Sequence, residues 1–158
     1  MLLRGHWRAR HAVQIRVQQV VDEAALVEFV HLQQTAWGMP AEDEARALRL
    51  ARRALDAGHY RYYTARLDGR PAGAASARID KGLAGIYGVA TLEEARRRGV
   101  GSALVGHIVE EGRREGCEAA FLSAEPGSYA AGLYRRLGFV SIFAVSNYEL
   151  AAPGGRAA

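Results

Sequence analysis

A mixed α/β fold is what these 158 residues predict, a central and mostly antiparallel sheet of about six to seven strands flanked by about four helices on its two faces. Three observations carry that expectation. Two short turn signals, Asp68-Gly69 and Lys81-Gly82, divide the middle of the chain into three successive strands. Helical periodicity fills the stretch before them. After them, the apolar run Ile86-Tyr87-Gly88-Val89-Ala90 leads through a glycine-bearing loop into another helix, the arrangement of a strand, a loop and a helix start.

In order, residues 12–20 place Val13, Ile15, Val17 and Val20 in near alternation and read as a first strand. Asp22 then suits an N-cap, because its carboxylate can accept the free N–H groups of a helix that carries Leu26, Phe29 and Val30 on one face. Pro40 opens a second helix over 41–57, with Leu48, Ala51 and Leu55 as its stripe and Gly58 as its stop. Strands are expected over 60–67, 71–79 and 83–90. A helix over 101–114, with Val100, Leu104 and Ile108 buried, stops at Gly116 and leads to a strand over 119–124. A short helix ends at Leu137, and strands over 140–144 and 147–150 close the sheet. Residues 1–11 read as a flexible extension, 12–150 as a single domain, and 151–158, rich in Ala, Pro and Gly, as a disordered tail.

Composition excludes several classes. Apolar content of 49% and charged content of 24% suit a soluble globular protein, and no apolar run approaches the roughly 18 residues of a membrane span. Residues 1–11 are basic but lack an apolar segment, so no secretory signal is expected and a cytoplasmic location is. Cys117 is the one cysteine, which leaves no internal disulfide, and it reads as a small buried hydrophobe. Five histidines lack paired ligand spacing, so no metal is expected. The net charge of +4 and pI near 9.6 raise a nucleic-acid reading, but the arginines are dispersed and interleaved with acids, and no nucleic-acid motif appears.

The segment Arg96-Arg97-Arg98-Gly99-Val100-Gly101-Ser102 is built to hold phosphate. A helix start leaves N–H groups unpaired and partly positive, glycines allow close approach, and arginines attract a polyanion. It is not a P-loop, since Gly-Lys-Ser/Thr is missing, nor a dinucleotide fingerprint, since Leu104 stands where the third glycine would be. Downstream, Leu133-Tyr134-Arg135-Arg136-Leu137-Gly138-Phe139 reads as a helix end closed by a left-handed glycine, with Phe139 packing back on the last turn.

Together these segments resemble the GNAT N-acetyltransferase superfamily. Arg96, Gly99 and Gly101 meet its Gln/Arg-x-x-Gly-x-Gly/Ala loop, and the second segment meets its Leu-Tyr-x-x-Leu-Gly-Phe motif. The likeness implies the GNAT fold and acetyl-CoA as co-substrate. It implies that Val89, Ala90 and Thr91 contact pantetheine and acetyl through their backbone, that Arg96 belongs to the same loop, and that Arg97, Arg98, Gly99, Val100, Gly101 and Ser102 wrap the pyrophosphate. Gly88 is where a bulge is expected, and Tyr134 is implied as the acid that protonates the leaving thiolate, a phenol being protonated at neutral pH.

The general base is not legible. Leu122 stands where some relatives carry Glu, leaving Glu125, Asp80 and Ser128 as candidates, while Glu93 and Glu94 read as surface residues. Gly127 replaces an Asn found in many relatives. Two readings follow: transfer of acetyl to a primary amine of a small molecule or peptide, or a non-catalytic module that binds acyl-CoA. No nucleic-acid or membrane partner is expected, and the sheet edges permit a homodimer. Trp37, Tyr60, Tyr62, Tyr63 and Tyr148 stand either as acceptor-pocket lining or as core.

Overall fold

Two tight turns organise the sheet. Asp68 and Gly69, and again Lys81 and Gly82, all take left-handed backbone angles, the geometry that matches the twist of a two-residue hairpin. They join β3 (Arg61–Leu67), β4 (Arg70–Asp80) and β5 (Leu83–Thr91) into an antiparallel meander. The computed structural model describes residues 1–4 and 14–146. Among them, β1 (Leu2–Arg4), β2 (Ile15–Gln19) and β6 (Ala119–Leu122) complete a six-stranded sheet in the order β1-β6-β5-β4-β3-β2. Only the β5–β6 pair is parallel.

Helices cover both faces. On one, α1 (Glu23–Trp37) and α2 (Glu44–Asp56), the latter entered through a short 3-10 turn at Ala41–Asp43, bury Leu26, Phe29 and Val30 against Tyr62 and Ala74. The Asp22 carboxylate accepts the Ala25 N–H at 2.8 Å, and Gly38 closes α1 in a left-handed conformation. Arg52 pairs with Glu23 and His31 with Glu44, tying the two helices together. On the other face, α3 (Val100–Arg114) and α4 (Tyr129–Arg136) cover the larger core, which holds Tyr63, Ala65, Ile86, Leu104, Ile108 and Phe139. Tyr62 and Tyr63 fall in different cores because neighbouring side chains on a strand point to opposite faces. Gly112 allows α3 to lie close on β5, where a Cβ would come within 2.8 Å of the Ala84 Cβ.

The two ends of the chain depart from expectation. Residues 2–4 were expected to be flexible, yet they form β1, which pairs antiparallel with β6 and leaves Leu3 only 3% exposed. Residues 5–11 lie outside the described residues. Toward the other end, the expected strand over 140–144 is reduced to a single bridge between Val140 and Leu2. Ile142, Phe143 and Val145 are exposed, so the alternation that suggests a strand there has no sheet face to bury. The expected strand over 147–150, Tyr148 and the 151–158 tail also lie outside the described residues. β1 forms the edge of the sheet beside β6.

Candidate functional site

Strand β6 ends early, and this creates the site. Parallel pairing with β5 stops at Ile86 opposite Leu122, while β5 continues to Thr91 with hydrogen bonds only on its β4 side. The backbone of residues 87–91 therefore presents an open edge, the kind of edge onto which an extended ligand can add as a further strand. Gly88 sits in the bulge that sequence analysis placed there. Ala74 pairs with Ala90 but Ser76 with Tyr87, so one extra residue stands on β5, and Gly88 has a φ of 57°.

The bulge changes which face the following side chains meet. Tyr87 points to the α1–α2 face, and without the extra residue Val89 would follow it. Instead Val89 joins the core under α3, and the Val89 and Thr91 side chains both stand 3.8 Å from the place a Gly101 Cβ would occupy. The Gln33 side chain holds the bulge, its Nε2 donating to the Gly88 carbonyl at 2.7 Å.

Beyond β5, Arg96 leaves the 3-10 turn Glu93–Ala95 in an extended conformation and Arg97 has a φ of 60°. Gly99 caps α3 at a φ of 90° with no side chain on the helix end. The first helical hydrogen bond runs from the Ala103 N–H to the Gly99 carbonyl, so the N–H groups of Val100, Gly101 and Ser102 have no acceptor inside the helix. A left-handed backbone ahead of a bare helix start turns successive N–H groups toward one point, which suits a phosphate. Arg96, Arg97, Arg98 and Gly99 are exposed around it, and Arg98 is anchored to Asp68 of the β3–β4 turn at 2.8 Å. These residues fit a diphosphate because the amides and the lack of Cβ atoms supply the cradle, with the guanidinium groups at its rim.

The same place meets α4. Leu133 lies 3.5 Å from the position of a Gly101 Cβ, which brings α4 against the start of α3. Tyr134 follows on the buried side, 6% exposed, its ring centroid 6.1 Å from that of Phe139. Burial pushes its phenol above the ordinary value, so it is protonated at neutral pH. Ser128 caps α4, accepting the Ala131 N–H at 3.1 Å and donating to the Glu125 carbonyl at 2.7 Å. Gly127 has a φ of 80°, a conformation that glycine and asparagine share.

The candidates for a base are not brought together. Asp80 pairs with Arg78 at the far end of β5, on the order of 20 Å from Val89 at about 3.3 Å per residue. Glu125, Glu93 and Glu94 are exposed, and Ser128 is engaged in its cap. Cys117 precedes β6 at that same far end, and burial pushes its thiol up.

Across the sheet from α3 lies a cavity of about 390 Å³ between α1, α2 and the strands. Of the aromatics left open between pocket lining and core, Trp37, Tyr60 and Tyr62 line it, Tyr62 belonging also to the core under α1, whereas Tyr63 faces the other core and bonds to Glu111 at 2.9 Å. Sequence reasoning missed Phe29, Gln33, Gln34 and Tyr87, which come from separate segments and share no local motif. Gly88 lies on the cavity wall, so the cavity and the open edge of β5 meet at the bulge.

An acetyltransferase (GNAT) family model matches residues 26–139, a span that contains most of α1, the bulge, the start of α3 and Tyr134. The chain belongs to the GNAT acetyltransferase family. It is an acetyltransferase, and acetyl-CoA is its co-substrate. Among solved structures it resembles the aminoglycoside acetyltransferase AAC(6')-Iy in complex with the bisubstrate analogue CoA-S-monomethyl-acetylneamine, with a TM-score of 0.72 at 22% identity over 87% of this chain and 99% of the other. An aminoglycoside acetyltransferase from an uncultured soil metagenomic sample, in complex with sisomicin, has a TM-score of 0.70 at 17% identity over 88% and 97% of the two chains. An acetyltransferase of Trypanosoma brucei has a TM-score of 0.68 at 21% identity over 86% and 99%. No curated protein shows a significant match.

Proposed function

We propose that this GNAT protein transfers acetyl from acetyl-CoA to a primary amine of a small molecule, by direct attack on the thioester and with the machinery that its sequence motifs imply. One observation carries the reading: the free edge of β5 at residues 87–91 runs directly into the unpaired N–H groups at the start of α3. The backbone of Val89, Ala90 and Thr91 holds the pantetheine arm as an added strand. The amides of Arg97 to Ser102 take the pyrophosphate, with Arg96, Arg97 and Arg98 lending long-range attraction.

The co-substrate supplies an activated acetyl thioester. What the chain supplies is position and protons. A β5 amide near Val89 donates to the thioester oxygen as charge develops on it, and the Tyr134 phenol, kept protonated by burial, gives its proton to the departing sulfur. The amine enters from the α1–α2 cavity, on the opposite side of the sheet. The exposed apolar side chains of Ile142, Phe143 and Val145, beside the β1 edge, support a homodimer.

Calorimetric titration with acetyl-CoA, followed by thiol release in the presence of primary amines, tests this reading. Saturable heat with amine-dependent thiol release is expected. Saturable binding with no release against any amine would favour a sensing module, and no binding at millimolar acetyl-CoA would refute both.

A further inference from the structure

Resting on that reading, the chemistry of the cavity assigns the acceptor's class. We infer that the acceptor is an aromatic primary monoamine, one amino group on a short chain carried by a flat apolar body, and not a polycation. The walls form an aromatic row. Phe29 stacks on Tyr62 with centroids 4.4 Å apart, Tyr62 lies parallel to Tyr60 at 6.4 Å, and Tyr60 meets Tyr87 edge-on at 5.7 Å. Phe29 and Tyr62, almost wholly buried, form the floor of this row, and the less buried Tyr60, Tyr87 and Trp37 offer ring surface to a flat guest. The apolar surface continues to the mouth, where Trp37 is 52% exposed and Leu50 56% exposed.

Charge excludes the alternative. Among the described residues the lining contains no Asp, Glu, Lys, Arg or His, and its polar side chains are the hydroxyls of Ser76 and the tyrosines and the amides of Gln33 and Gln34. Ammonium groups seated against this lining would meet no carboxylate there, so no ion pair would offset the desolvation they undergo. At about 390 Å³ the cavity is near the small end of ligand pockets, which span about 300–1,000 Å³.

The same walls explain how the reaction proceeds without a carboxylate at the amine. An apolar surround disfavours an ammonium and lowers its pKa, so a single amine can shed its proton to water on entry and arrive as the free base. A polycation cannot discharge all of its ammonium groups in this way.

The test begins with acetyl-CoA binding by calorimetry, then compares 2-phenylethylamine and tryptamine with sisomicin, spermidine and a lysyl tripeptide. The aromatic amines are expected to show kcat/KM at least ten-fold above the others. Trp37→Ala, at the exposed mouth where the fold is not at stake, is expected to raise KM for 2-phenylethylamine by about ten-fold, the scale of one aromatic stack, with kcat and acetyl-CoA affinity within a few-fold. Tyr60→Leu should act in the same direction. Preference for sisomicin, spermidine or the lysyl peptide would overturn the assignment, as would intact acetyl-CoA binding with no turnover of either aromatic amine. Failure to bind acetyl-CoA at all would instead remove the transferase reading on which the assignment rests.

Discussion

At the residue scale, the two glycines of the phosphate loop differ in what they require. Gly99 needs its left-handed φ of 90°, which costs any other L-residue about 1–2 kcal/mol. Gly101 is helical, and a Cβ there would find only ordinary contacts of 3.5–3.8 Å. This difference explains a motif that demands Gly first and accepts Gly or Ala second. Gly99→Ala is expected to lower stability by about 1–2 kcal/mol and weaken acetyl-CoA binding at least ten-fold, while Gly101→Ala leaves the melting temperature unchanged or slightly higher. Thermal melts and calorimetry on the pair check this. Tyr134→Phe is expected to lower kcat by roughly 10- to 10⁴-fold with acetyl-CoA affinity within a few-fold. Because burial raises the Tyr134 phenol, the acid is spent only above the ordinary tyrosine value of about 10. A pH profile whose alkaline limb comes from Tyr134 should hold its rate up to that pH, and an unchanged kcat in the variant would exclude Tyr134 as the acid.

At the element scale, α3 is held to β3 by polar contacts as well as by the core. Arg61 on β3 bonds to Glu111 at 2.7 Å and also reaches Glu115, and Tyr63 donates to Glu111 at 2.9 Å. Glu111 is 13% exposed, so loss of its cation matters more than loss of a surface pair. Arg61→Met is expected to cost about 1–2 kcal/mol by chemical denaturation. The pH dependence has a definite sign. Hydrogen bonding to Arg61 holds the Glu115 carboxyl below its ordinary value, so that contribution is complete above the ordinary carboxylate range and fades as pH falls through the lowered value. Melting temperatures measured from neutral to acid pH should therefore converge for the two proteins.

Elements also differ in how far the amino-acid order announces them. Both hairpins were legible because Asp68-Gly69 and Lys81-Gly82 satisfy a local backbone demand, and so were the caps at Asp22 and Gly138, whose partners lie within a few residues. The segment we propose as a phosphate cradle could be nominated for the same reason, being one continuous stretch ending in a bare helix start. β1 was not, since three residues with no turn signal pair with a strand more than a hundred positions later. The acceptor cavity was half legible: its tyrosines could be nominated, but their company of Phe29, Gln33 and Tyr87 is assembled only by tertiary packing of α1 on the sheet.

At the scale of the whole molecule, the sheet separates two binding regions. α3, α4 and the cradle lie on one face, α1, α2 and the cavity on the other, and the two meet at the Gly88 bulge. The sole cysteine, the most nucleophilic side chain that could carry an acetyl group, lies at the other end of β5. The direct transfer we propose runs within a ternary complex. Initial rates with both substrates varied are expected to give intersecting double-reciprocal lines, and Cys117→Ser is expected to leave them unchanged. Parallel lines would point to an acetylated enzyme instead.

Gln33 fastens α1 to the bulge by one amide, and α1 and α2 pack on the face of the sheet opposite α3 and α4. Evolution can therefore re-carve the amine's chamber while the donor's berth is inherited intact. A graft of residues 23–56 from a cousin with another appetite would be the natural way to retrain this enzyme.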